Sequence, residues 1–352
     1  MSSISCNRDE EPRGPSVADK VAYLSEPATY PHLPREVIVR ETHMSWVFLA
    51  GDRVYKLKKP VTYPFLDFST LQLREFNCRE EVRLNRRLAP NVYLGVIPLA
   101  MTPAGNLALG DRSKIVDWLV EMRRLPDELL LDKAILANSV TSRAVESVSV
   151  ALAEFYVKSK PVHISGQDYV ERFAREHDLN VLVVTNRQFD LDGQQVTKAI
   201  AIVENMLRKT PARLEARALG SKIVDGHGDL RPEHICLEEP PVIIDCLEFN
   251  RDLRLADPLD EIAYLDLECT ILGANWIGRQ VLTRYLERSS DEADRELGQF
   301  YWAYRACLRA RLSLVHILEH DTRKPEKWLP LARKFIGIAS AVPSAFTPPG
   351  VR

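Results

Sequence analysis

Neither sign of charge predominates in this sequence, which has 47 lysine and arginine residues against 49 aspartate and glutamate residues and a formal net charge of -2. Proteins that bind nucleic acids or anionic membranes by electrostatic attraction carry an excess of positive charge. The balance of charges therefore predicts neither a nucleic-acid partner nor a membrane partner.

Long apolar segments are also missing. The chain has no run of about 18 apolar residues, the length needed to span a bilayer. Its first residues, Met1-Ser-Ser-Ile-Ser-Cys-Asn, are mostly polar and lack the apolar core of a secretory signal. We therefore expect a cytoplasmic protein.

Cysteine is scarce. The six cysteines are scattered, and no two of them form a C-x-x-C pair. A disulfide framework or a zinc site would require clustered or regular spacing. We expect reduced thiols with packing roles, including Cys236 and Cys246.

Two nucleotide-binding signatures are absent as well. The chain has no G-x-x-x-x-G-K-[ST] motif, which excludes a P-loop enzyme, and no complete G-x-G-x-x-G precedes Lys56. A glycine-rich phosphate loop of the protein-kinase type is therefore not expected.

The sequence does have a segment in which a predicted hairpin separates two carboxylates. The run Gly226-His-Gly-Asp229 is followed by a short apolar stretch, a turn at Pro240-Pro241, and the run Val242-Ile-Ile-Asp245. The glycines permit backbone paths that other residues resist, and the β-branched run predicts a buried strand. A hairpin with an acid on each side can hold two carboxylates near one ligand. That arrangement suits a metal-bound phosphate.

These residues resemble the aminoglycoside phosphotransferase branch of the protein-kinase-like superfamily, in which H-G-D-x-x-x-x-N precedes a strand that ends in I-D. The resemblance implies that Asp229 is the base that receives the proton of an acceptor hydroxyl, with His227 beside it in the catalytic loop. It also implies that Asp245 binds Mg2+ and that position 234 supplies a second metal ligand, with ATP as the nucleotide. The similarity covers most of residues 17 to 270 and extends closely to a group of uncharacterised bacterial proteins of this superfamily.

The sequence departs from the family pattern at position 234, where His234 replaces the asparagine. Magnesium prefers oxygen ligands, and an imidazole nitrogen is a poor substitute for an amide oxygen. Three alternatives remain open. His234 binds Mn2+, or it only hydrogen-bonds the catalytic loop while water completes the metal shell, or it marks a chain that binds nucleotide without transferring phosphate.

The amino-terminal part predicts an antiparallel sheet followed by a helix. Short alternating segments between residues 37 and 57 predict three strands, with Lys56 in the third, and a helix follows from residue 69 or 70 to residue 89. The resemblance makes Lys56 the lysine that pairs with nucleotide phosphates and makes Glu81 its partner, with Glu80 as second choice. Both glutamates could instead be surface partners of arginines on the same helix.

Two further segments take nucleotide-binding roles from the resemblance. Thr42 and Ser45, between the first two strands, would cover the phosphates with hydroxyl and amide groups in place of a glycine-rich loop. Met122 and Arg123, in an extended segment that links the lobes, would present backbone groups to the adenine edge.

Beyond residue 126 the chain is predicted to be mainly helical, with helices over residues 128–137, 142–158, 167–176 and 194–219. Asp257 and Asp260 open another helix, and the resemblance gives them a structural role below the catalytic loop. Glu248 and Asn250, which follow Asp245 closely, could line the acceptor site.

We therefore predict an α+β, two-lobed protein-kinase-like fold with a small antiparallel-sheet N-lobe over residues 17–124 and a mostly helical C-lobe over residues 125–342. A disordered lead-in (1–16) and a mobile tail (343–352) would flank the lobes. The predicted reaction transfers the γ-phosphoryl group of ATP to a hydroxyl of a small molecule, such as an aminoglycoside, a sugar or an amino alcohol.

Two other functions remain open. The alternative to an active enzyme is a catalytically impaired, nucleotide-binding pseudokinase that acts as a sensor or interaction protein. A kinase for a protein or nucleic acid would need a basic stripe, and we expect Arg305, Arg309 and Arg311 to be solvated or paired instead.

Overall fold

The computed structural model describes residues 14–292, 294–318 and 325–341. The predicted lead-in up to residue 13 and the predicted tail lie outside these ranges. The chain divides into two compact units, one with the residues up to Leu125 and Glu248–Asn250, the other with Pro126–Leu247 and the residues from Arg251 onwards. The first contains an antiparallel sheet and the second is mostly helical, which confirms the predicted α+β fold class.

The first unit is built on a six-stranded antiparallel sheet. Its elements in chain order are α1 (Val17–Ser25), β1 (Val37–Glu41), β2 (Ser45–Ala50), β3 (Arg53–Lys58), β4 (Thr62–Tyr63), β5 (Leu66–Asp67), α2 (Leu71–Asn85), β6 (Tyr93–Met101), β7 (Leu107–Leu109) and β8 (Lys114–Arg123). The order in the main sheet is β1-β2-β3-β8-β6-β7, and β4 and β5 form a separate pair.

Strand β3 presents apolar side chains on one face and lysines on the other. Tyr55 and Leu57 are part of the buried core that also includes residues of α1 and β2. Successive side chains alternate across a strand, so Lys56 and Lys58 share the opposite face. Glu81 of α2 accepts hydrogen bonds from both lysines on that face. The alternation in β3 thus brings two ammonium groups to one carboxylate.

Helix α2 begins where the sequence predicted and ends earlier. Thr70 is its N-cap. The last helical residue is Asn85 rather than residue 89, and the next side chain, that of Arg86, donates hydrogen bonds to the carbonyl groups of Tyr93 and Leu94. These bonds connect the end of the helix to β6, so the chain turns there instead of extending the helix.

The second unit contains most of the helices. Its elements in chain order are α3 (Leu131–Leu136), α4 (Ser142–Lys158), α5 (Gly166–Val184), α6 (Gly193–Lys209), α7 (Pro211–Leu219), β9 (Val224–Asp225), β10 (Ile235–Cys236), β11 (Val242–Ile243), β12 (Leu255–Ala256), α8 (Pro258–Ile271), α9 (Trp276–Ser289), α10 (Arg295–Leu318) and α11 (Pro325–Ala339). Strand β10 pairs with β11, which confirms the predicted hairpin, and β9 pairs with β12.

Three of the helix predictions in this unit need correction, whereas α4 matches its prediction. Residues 128–137 form a 3-10 turn (Asp127–Leu129) and the short α3, because Leu130 between them is extended and bridges to Cys236 of the hairpin. The helix predicted over residues 167–176 continues to Val184. The long stretch after residue 194 is divided into α6 and α7 at Pro211, because proline lacks the N–H that would continue the first helix.

The helical arginines of α10 are paired with acids, as expected. Arg305 forms a bidentate ion pair with Asp260, with two contacts of 2.7 Å. Arg309 contacts Glu268 at 2.5 Å, and Arg311 contacts Glu176 at 2.7 Å. These pairs provide no exposed basic stripe. Within the described ranges, no helix is both long enough and apolar enough to cross a membrane.

Asp266 of α8 is a buried carboxylate in close contact with α9. Its side chain lies so near Gly278 that a Cβ there would be 2.3 Å from Oδ1, and Oδ1 has no hydrogen-bond partner in the described part of the chain. Burial raises the pKa of Asp266 to about 7, and the charge of Arg279 opposes this shift. The folded protein therefore binds this proton more tightly than the unfolded chain, in which an aspartate has a pKa of about 3.9. The stabilising contribution is complete below about pH 4 and is lost as the pH rises to about 7.

We expect Asp266→Asn to reduce the dependence of stability on pH. Between about pH 4 and pH 7, the native protein should lose on the order of 2 to 4 kcal/mol of unfolding free energy relative to the variant. Urea unfolding across this range measures the difference. Asp178→Asn, which changes an exposed aspartate of α5, is the control. Parallel profiles for the native protein and Asp266→Asn would mean that another group controls the pH response.

Candidate active site

The loop that contains Asp229 is held by one buried carboxylate, that of Glu261 on α8. Glu261 accepts the N–H groups of His227 at 2.9 Å and Gly228 at 2.5 Å, and the hydroxyl of Tyr156 at 2.9 Å. Gly226 is required because a Cβ there would lie 2.5 Å from Glu261 Oε2. Gly228 is required because its φ is +86° and a Cβ would lie 3.0 Å from a leucine side chain. Glu261 thus anchors the loop, and the two glycines let the backbone pass close to Glu261 and to the leucine.

Asp257 and Asp260 act on the loop through the first turn of α8. Asp257 is the N-cap of α8 and pairs with Arg217 at 2.6 Å. Asp260 pairs with Arg305. These contacts fix the first turn of α8, and the next residue, Glu261, makes the bonds to the loop.

His227 is inside the loop and has no exposed surface. Its Nε2 donates to the carbonyl of Ile244 at 2.9 Å, and its Nδ1 accepts the N–H of Asp229 at 3.3 Å. Burial, together with the nearby His234, lowers the pKa of His227 to about 4, so the ring is neutral near pH 7. Both ring nitrogens are engaged within the loop and with Ile244, and a catalytic role of His227 stays a prediction. The residue positions Asp229 relative to β11.

Asp229 keeps 23 % of its side chain exposed. The hydroxyl of Tyr264 donates to its Oδ1 at 3.0 Å, and Arg231 contacts its Oδ2 at 3.0 Å. Burial alone would raise the pKa of Asp229, but the positive charge of Arg231 and the neighbouring His234 hold it below its usual value. An ionised carboxylate in this position can accept a hydrogen bond from a hydroxyl group and orient it.

Asp245 follows the second hairpin strand in a left-handed backbone conformation, with φ of 62°. This conformation is uncommon for residues other than glycine and is often found at functional sites. The backbone is anchored on both sides, because the N–H of Ile244 donates to the carbonyl of His234 at 2.9 Å and that of Leu247 donates to the carbonyl of His227 at 3.1 Å. The Asp245 side chain is 47 % exposed. The fold thus presents this carboxylate beside the loop that contains Asp229.

The ring of His234 lies between the two carboxylates. Its Nδ1 is 2.8 Å from the carbonyl oxygen of Asp229, which can only accept, so Nδ1 carries the proton. Its Nε2 is then free to accept from Arg231 at 3.2 Å and lies 3.5 Å from Asp245 Oδ2. One of the three alternatives given for His234 was a hydrogen bond to the loop that contains Asp229, and this bond is present. The Nε2 of the same ring also faces Asp245, the residue predicted to bind the metal ion.

The donor groups at this site fit a metal ion for which the protein supplies only some of the ligands, with phosphate and water supplying the rest. Within the described ranges, no group of three or more histidine, cysteine, aspartate or glutamate side chains is placed to hold a metal ion. Mg2+ in nucleotide sites is commonly bound by one or two carboxylates, with phosphate oxygens and waters completing the shell. The half-exposed carboxylate of Asp245 and the Nε2 of His234, 3.5 Å apart, could supply such a partial set.

Sequence reasoning missed three residues of this site, two of which had a signal in the sequence. Arg231 is two residues after Asp229, and it contacts Glu233 at 2.8 Å as well as Asp229 and His234. Glu261 and Tyr264 follow the predicted aspartates by one helical turn or less and share a helix with them. Helical spacing could therefore have indicated both, whereas the ion pairs of Arg231 depend on the folded loop.

The first unit contains the predicted lysine–glutamate pair. Lys56 Nζ is 2.9 Å from Glu81 Oε1. Glu80, the second choice, pairs with Arg83 on the helix surface at 2.6 Å. A second lysine, Lys58, was not predicted; its Nζ is 2.6 Å from Glu81 Oε2. Lys58 could have been identified from its two-residue spacing to Lys56.

Glu248, which was predicted to line the acceptor site, has a partner within the first unit, and its role in acceptor binding stays a prediction. Its side chain is only 7 % exposed and forms an ion pair with Lys58 inside the first unit. Asn250 donates to the carbonyl of Phe65 at 3.5 Å, and its role in acceptor binding stays a prediction.

The residues predicted to cover a nucleotide already have partners within the first unit. The Thr42 hydroxyl bonds with the backbone of Ser45 at 3.0 Å, and Ser45 is buried. Met122 and Arg123 belong to β8 rather than to a linker, and the N–H of Arg123 donates to the carbonyl of Val92 at 2.8 Å. That N–H is therefore engaged within the first unit. The nucleotide contacts of these four residues stay predictions.

Comparison with known proteins gives relatives without an established function. No family model matches this chain. The uncharacterized protein Rv2004c of Mycobacterium tuberculosis is 34 % identical over 291 residues, which are 82 % of this chain and 56 % of the relative. The uncharacterized protein Mb2027c of Mycobacterium bovis matches with the same values. The chain thus spans little more than half the length of these relatives.

Solved structures resemble this chain over most of its length. A choline kinase from Cryptosporidium parvum has a TM-score of 0.51 and 12 % identity, with 91 % of this chain and 94 % of that chain covered. A thermostable mutant of aminoglycoside phosphotransferase APH(4)-Ia, in a ternary complex with AMP-PNP and hygromycin B, has the same TM-score and identity, with 88 % and 94 % covered. The resemblance stated from the sequence is confirmed at the level of the fold. The chain therefore has the protein-kinase-like fold that is found in aminoglycoside phosphotransferases and choline kinases.

Proposed function

We propose that the chain is an ATP-dependent phosphotransferase that moves the γ-phosphoryl group of ATP to a hydroxyl group of a small molecule. The observation that carries this proposal is the position of the carboxylates of Asp229 and Asp245 on either side of the His234 ring, 3.7 Å and 3.5 Å from its two nitrogens. Two carboxylates in this arrangement suit a proton acceptor and a metal ligand at one phosphoryl group. The protein-kinase-like fold supports the same assignment.

Each residue then has a defined task. Asp229, held by Tyr264 and Arg231, orients the acceptor hydroxyl and takes its proton as the new O–P bond forms and the bond to the ADP oxygen breaks. Lys56, held by Glu81, neutralises charge on the phosphates of ATP. Catalysis rests on positioning and charge neutralisation.

The cofactors in this proposal are ATP and a divalent metal ion. Asp245, with His234 or water, would hold Mg2+ or Mn2+, which neutralises phosphate charge when it is bound. The structurally similar proteins include a choline kinase and an aminoglycoside phosphotransferase in complex with hygromycin B. Choline, hygromycin B and simple sugars are therefore the first acceptors to screen.

Calorimetric titration with ATP tests the proposal directly. The native protein should bind ATP in the presence of Mg2+ or Mn2+ and lose most of this binding in EDTA, and Asp245→Ala should lose the metal dependence. Release of ADP upon addition of an acceptor would then identify the substrate. If no ATP binds with either metal, the proposed activity is wrong.

A nucleotide-binding protein without transferase activity is the second candidate. The observation that favours it is the guanidinium of Arg231, which contacts both the carboxylate of Asp229 and the Nε2 of His234, 3.0 Å and 3.2 Å away. These contacts occupy the proposed proton acceptor and one proposed metal ligand. Binding of ATP that needs no metal and survives Asp245→Ala would favour this candidate.

The variant His234→Asn separates the two candidates. The asparagine side chain is shorter than the imidazole and cannot both donate to the carbonyl of Asp229 and approach Asp245. We expect an active enzyme to lose about 10-fold or more in the rate of ADP release. The rate is measured with the best acceptor, at saturating ATP, and Asp178→Asn is the control. A rate that rises in His234→Asn would indicate a site whose activity has decayed.

A further inference from the structure

The charges around Glu81 do not match a simple lysine–glutamate pair. Its Oε1 lies 2.9 Å from the Nζ of Lys56, and its Oε2 lies 2.6 Å from the Nζ of Lys58. The exposed fractions of the side chains are 17 % for Lys56, 0 % for Lys58 and 1 % for Glu81. Two positive charges on one carboxylate would leave an uncompensated charge in surroundings that are almost free of solvent, which is strongly unfavourable.

Glu248 supplies the missing negative charge. It forms an ion pair with Lys58 and is itself 7 % exposed. The Nζ of Lys58 also lies 4.9 Å from the centre of the Phe68 ring. Burial alone would lower the pKa of Lys58, but the carboxylates of Glu248 and Glu81 raise it, so the ammonium group stays charged. Burial raises the pKa of Glu248, and the ammonium groups of Lys58 and Lys56 oppose that shift. With both glutamates ionised, the two lysines and two glutamates together have no net charge.

We propose that Lys58 and Glu248 are positioning residues for Lys56: Glu248 neutralises Lys58 and so leaves Glu81 able to hold Lys56. The inference rests on the proposed function, because it takes Lys56 as the residue that binds the phosphates of ATP. Lys58 has no exposed side-chain surface and cannot contact a nucleotide, so its effect passes through Glu81. Glu248 follows the proposed metal ligand Asp245 by three residues. One short stretch of chain therefore contains both a metal ligand and the counter-charge for the lysine cluster.

The charge balance predicts what each substitution does. In Glu248→Gln, two ammonium groups compete for the carboxylate of Glu81. Lys58 is the more deeply buried and keeps it, whereas Lys56 has exposed surface and turns towards solvent. In the double variant Lys58→Met/Glu248→Gln, one ammonium and one carboxylate remain, so Lys56 stays in place.

Calorimetric titration with ATP and Mg2+ measures the consequence. We expect Glu248→Gln to weaken ATP binding about 10-fold, which corresponds to the loss of one charge-assisted hydrogen bond. The double variant should return to within about 3-fold of the native affinity. Lys59→Met is the matched control, because Lys59 is the neighbouring residue, is 18 % exposed and pairs with Glu41 instead. Equal affinities in Glu248→Gln and the native protein would overturn the proposal, as would a double variant no better than Glu248→Gln.

A measurement without nucleotide separates this inference from the proposed function. Labelling with an amine-reactive reagent, followed by mass spectrometry, compares Lys56 with Lys59, whose exposed fractions are almost equal. Lys56 should react several-fold faster in Glu248→Gln than in the native protein and return to its native rate in the double variant, while Lys59 is unchanged. An unchanged rate at Lys56 in a folded Glu248→Gln variant would overturn the proposal.

Two other results are also decisive. If the native protein binds no ATP, the proposed function fails, and the labelling of Lys56 alone decides whether Lys58 and Glu248 position it. If Glu248→Gln does not fold but the double variant folds and binds ATP, the charge balance is supported.

Discussion

Replacing Asp229 with asparagine should lower the rate of phosphoryl transfer by about 10²- to 10⁴-fold, the usual contribution of a positioned proton acceptor. The amide has the size of the carboxylate, so Tyr264 can still donate to its oxygen. It cannot take a proton from the acceptor hydroxyl, and it no longer neutralises Arg231. The loss should therefore appear in the rate of transfer and not in the fold.

Two assays test this result. Release of ADP with a saturating acceptor reports transfer, and calorimetry reports ATP affinity, which should change only a few-fold because Asp229 is not assigned to the nucleotide. Asp178→Asn serves as the charge-matched control on an exposed helix face. Native transfer rates in Asp229→Asn would remove this residue from the mechanism.

Replacing Glu261 with alanine should cost about 3 to 5 kcal/mol of unfolding free energy, which is typical when one partner of a buried charged network is removed. The side chain is 1 % exposed and accepts the N–H groups of His227 and Gly228 and the Tyr156 hydroxyl. Burial raises the pKa of Glu261, and the N–H donors oppose that shift. Without the carboxylate these donors remain buried and unpaired, and the loop that contains Asp229 loses its anchor.

Glu261→Gln should be much milder, with a loss of about 1 kcal/mol. The amide oxygen can still accept both N–H groups, and the amide nitrogen can face Tyr156. Urea unfolding of the two variants is compared with Glu171→Ala, which removes an exposed glutamate of α5. A loss below about 1 kcal/mol for Glu261→Ala would show that the loop is held mainly by other contacts.

The sequence predicted those parts of the candidate site that depend on local spacing. Asp229 and Asp245 were found because a hairpin of short apolar strands separates them, and that hairpin is present as β10 and β11. Lys56 and Glu81 were found because a strand and a capped helix place them at positions known from the resemblance. Helix ends were less accurate: α2 ends at Asn85, and the Arg86 side chain bonds to β6, seven and eight residues further along the chain, a contact that helical periodicity does not predict.

The sequence did not reveal which residues pair with partners far along the chain. Glu248 was taken for an acceptor contact because it follows Asp245, yet it pairs with Lys58, 190 residues away in sequence. The burial of His227 and its bond to the carbonyl of Ile244 were not predicted. The partners of Asp257 and Asp260, which are Arg217 and Arg305, were not predicted either.

The sequence alone thus determined the order of strands and helices, the hairpin with its two carboxylates, and the kind of chemistry that such residues support. The elements follow from periodicity, turn residues and short-range spacing, which act within a few residues of each other, and the roles of the site residues follow from the family resemblance. Only the tertiary structure decided which charges meet. Because burial makes an unpaired charge costly, Glu81, Asp260 and Glu261 face donors from elements that are distant in sequence. Asp266, whose Oδ1 has no partner among the described residues, has a raised pKa instead. The contacts of Glu261, Arg231 and the cluster around Glu81 therefore had to be read from the fold.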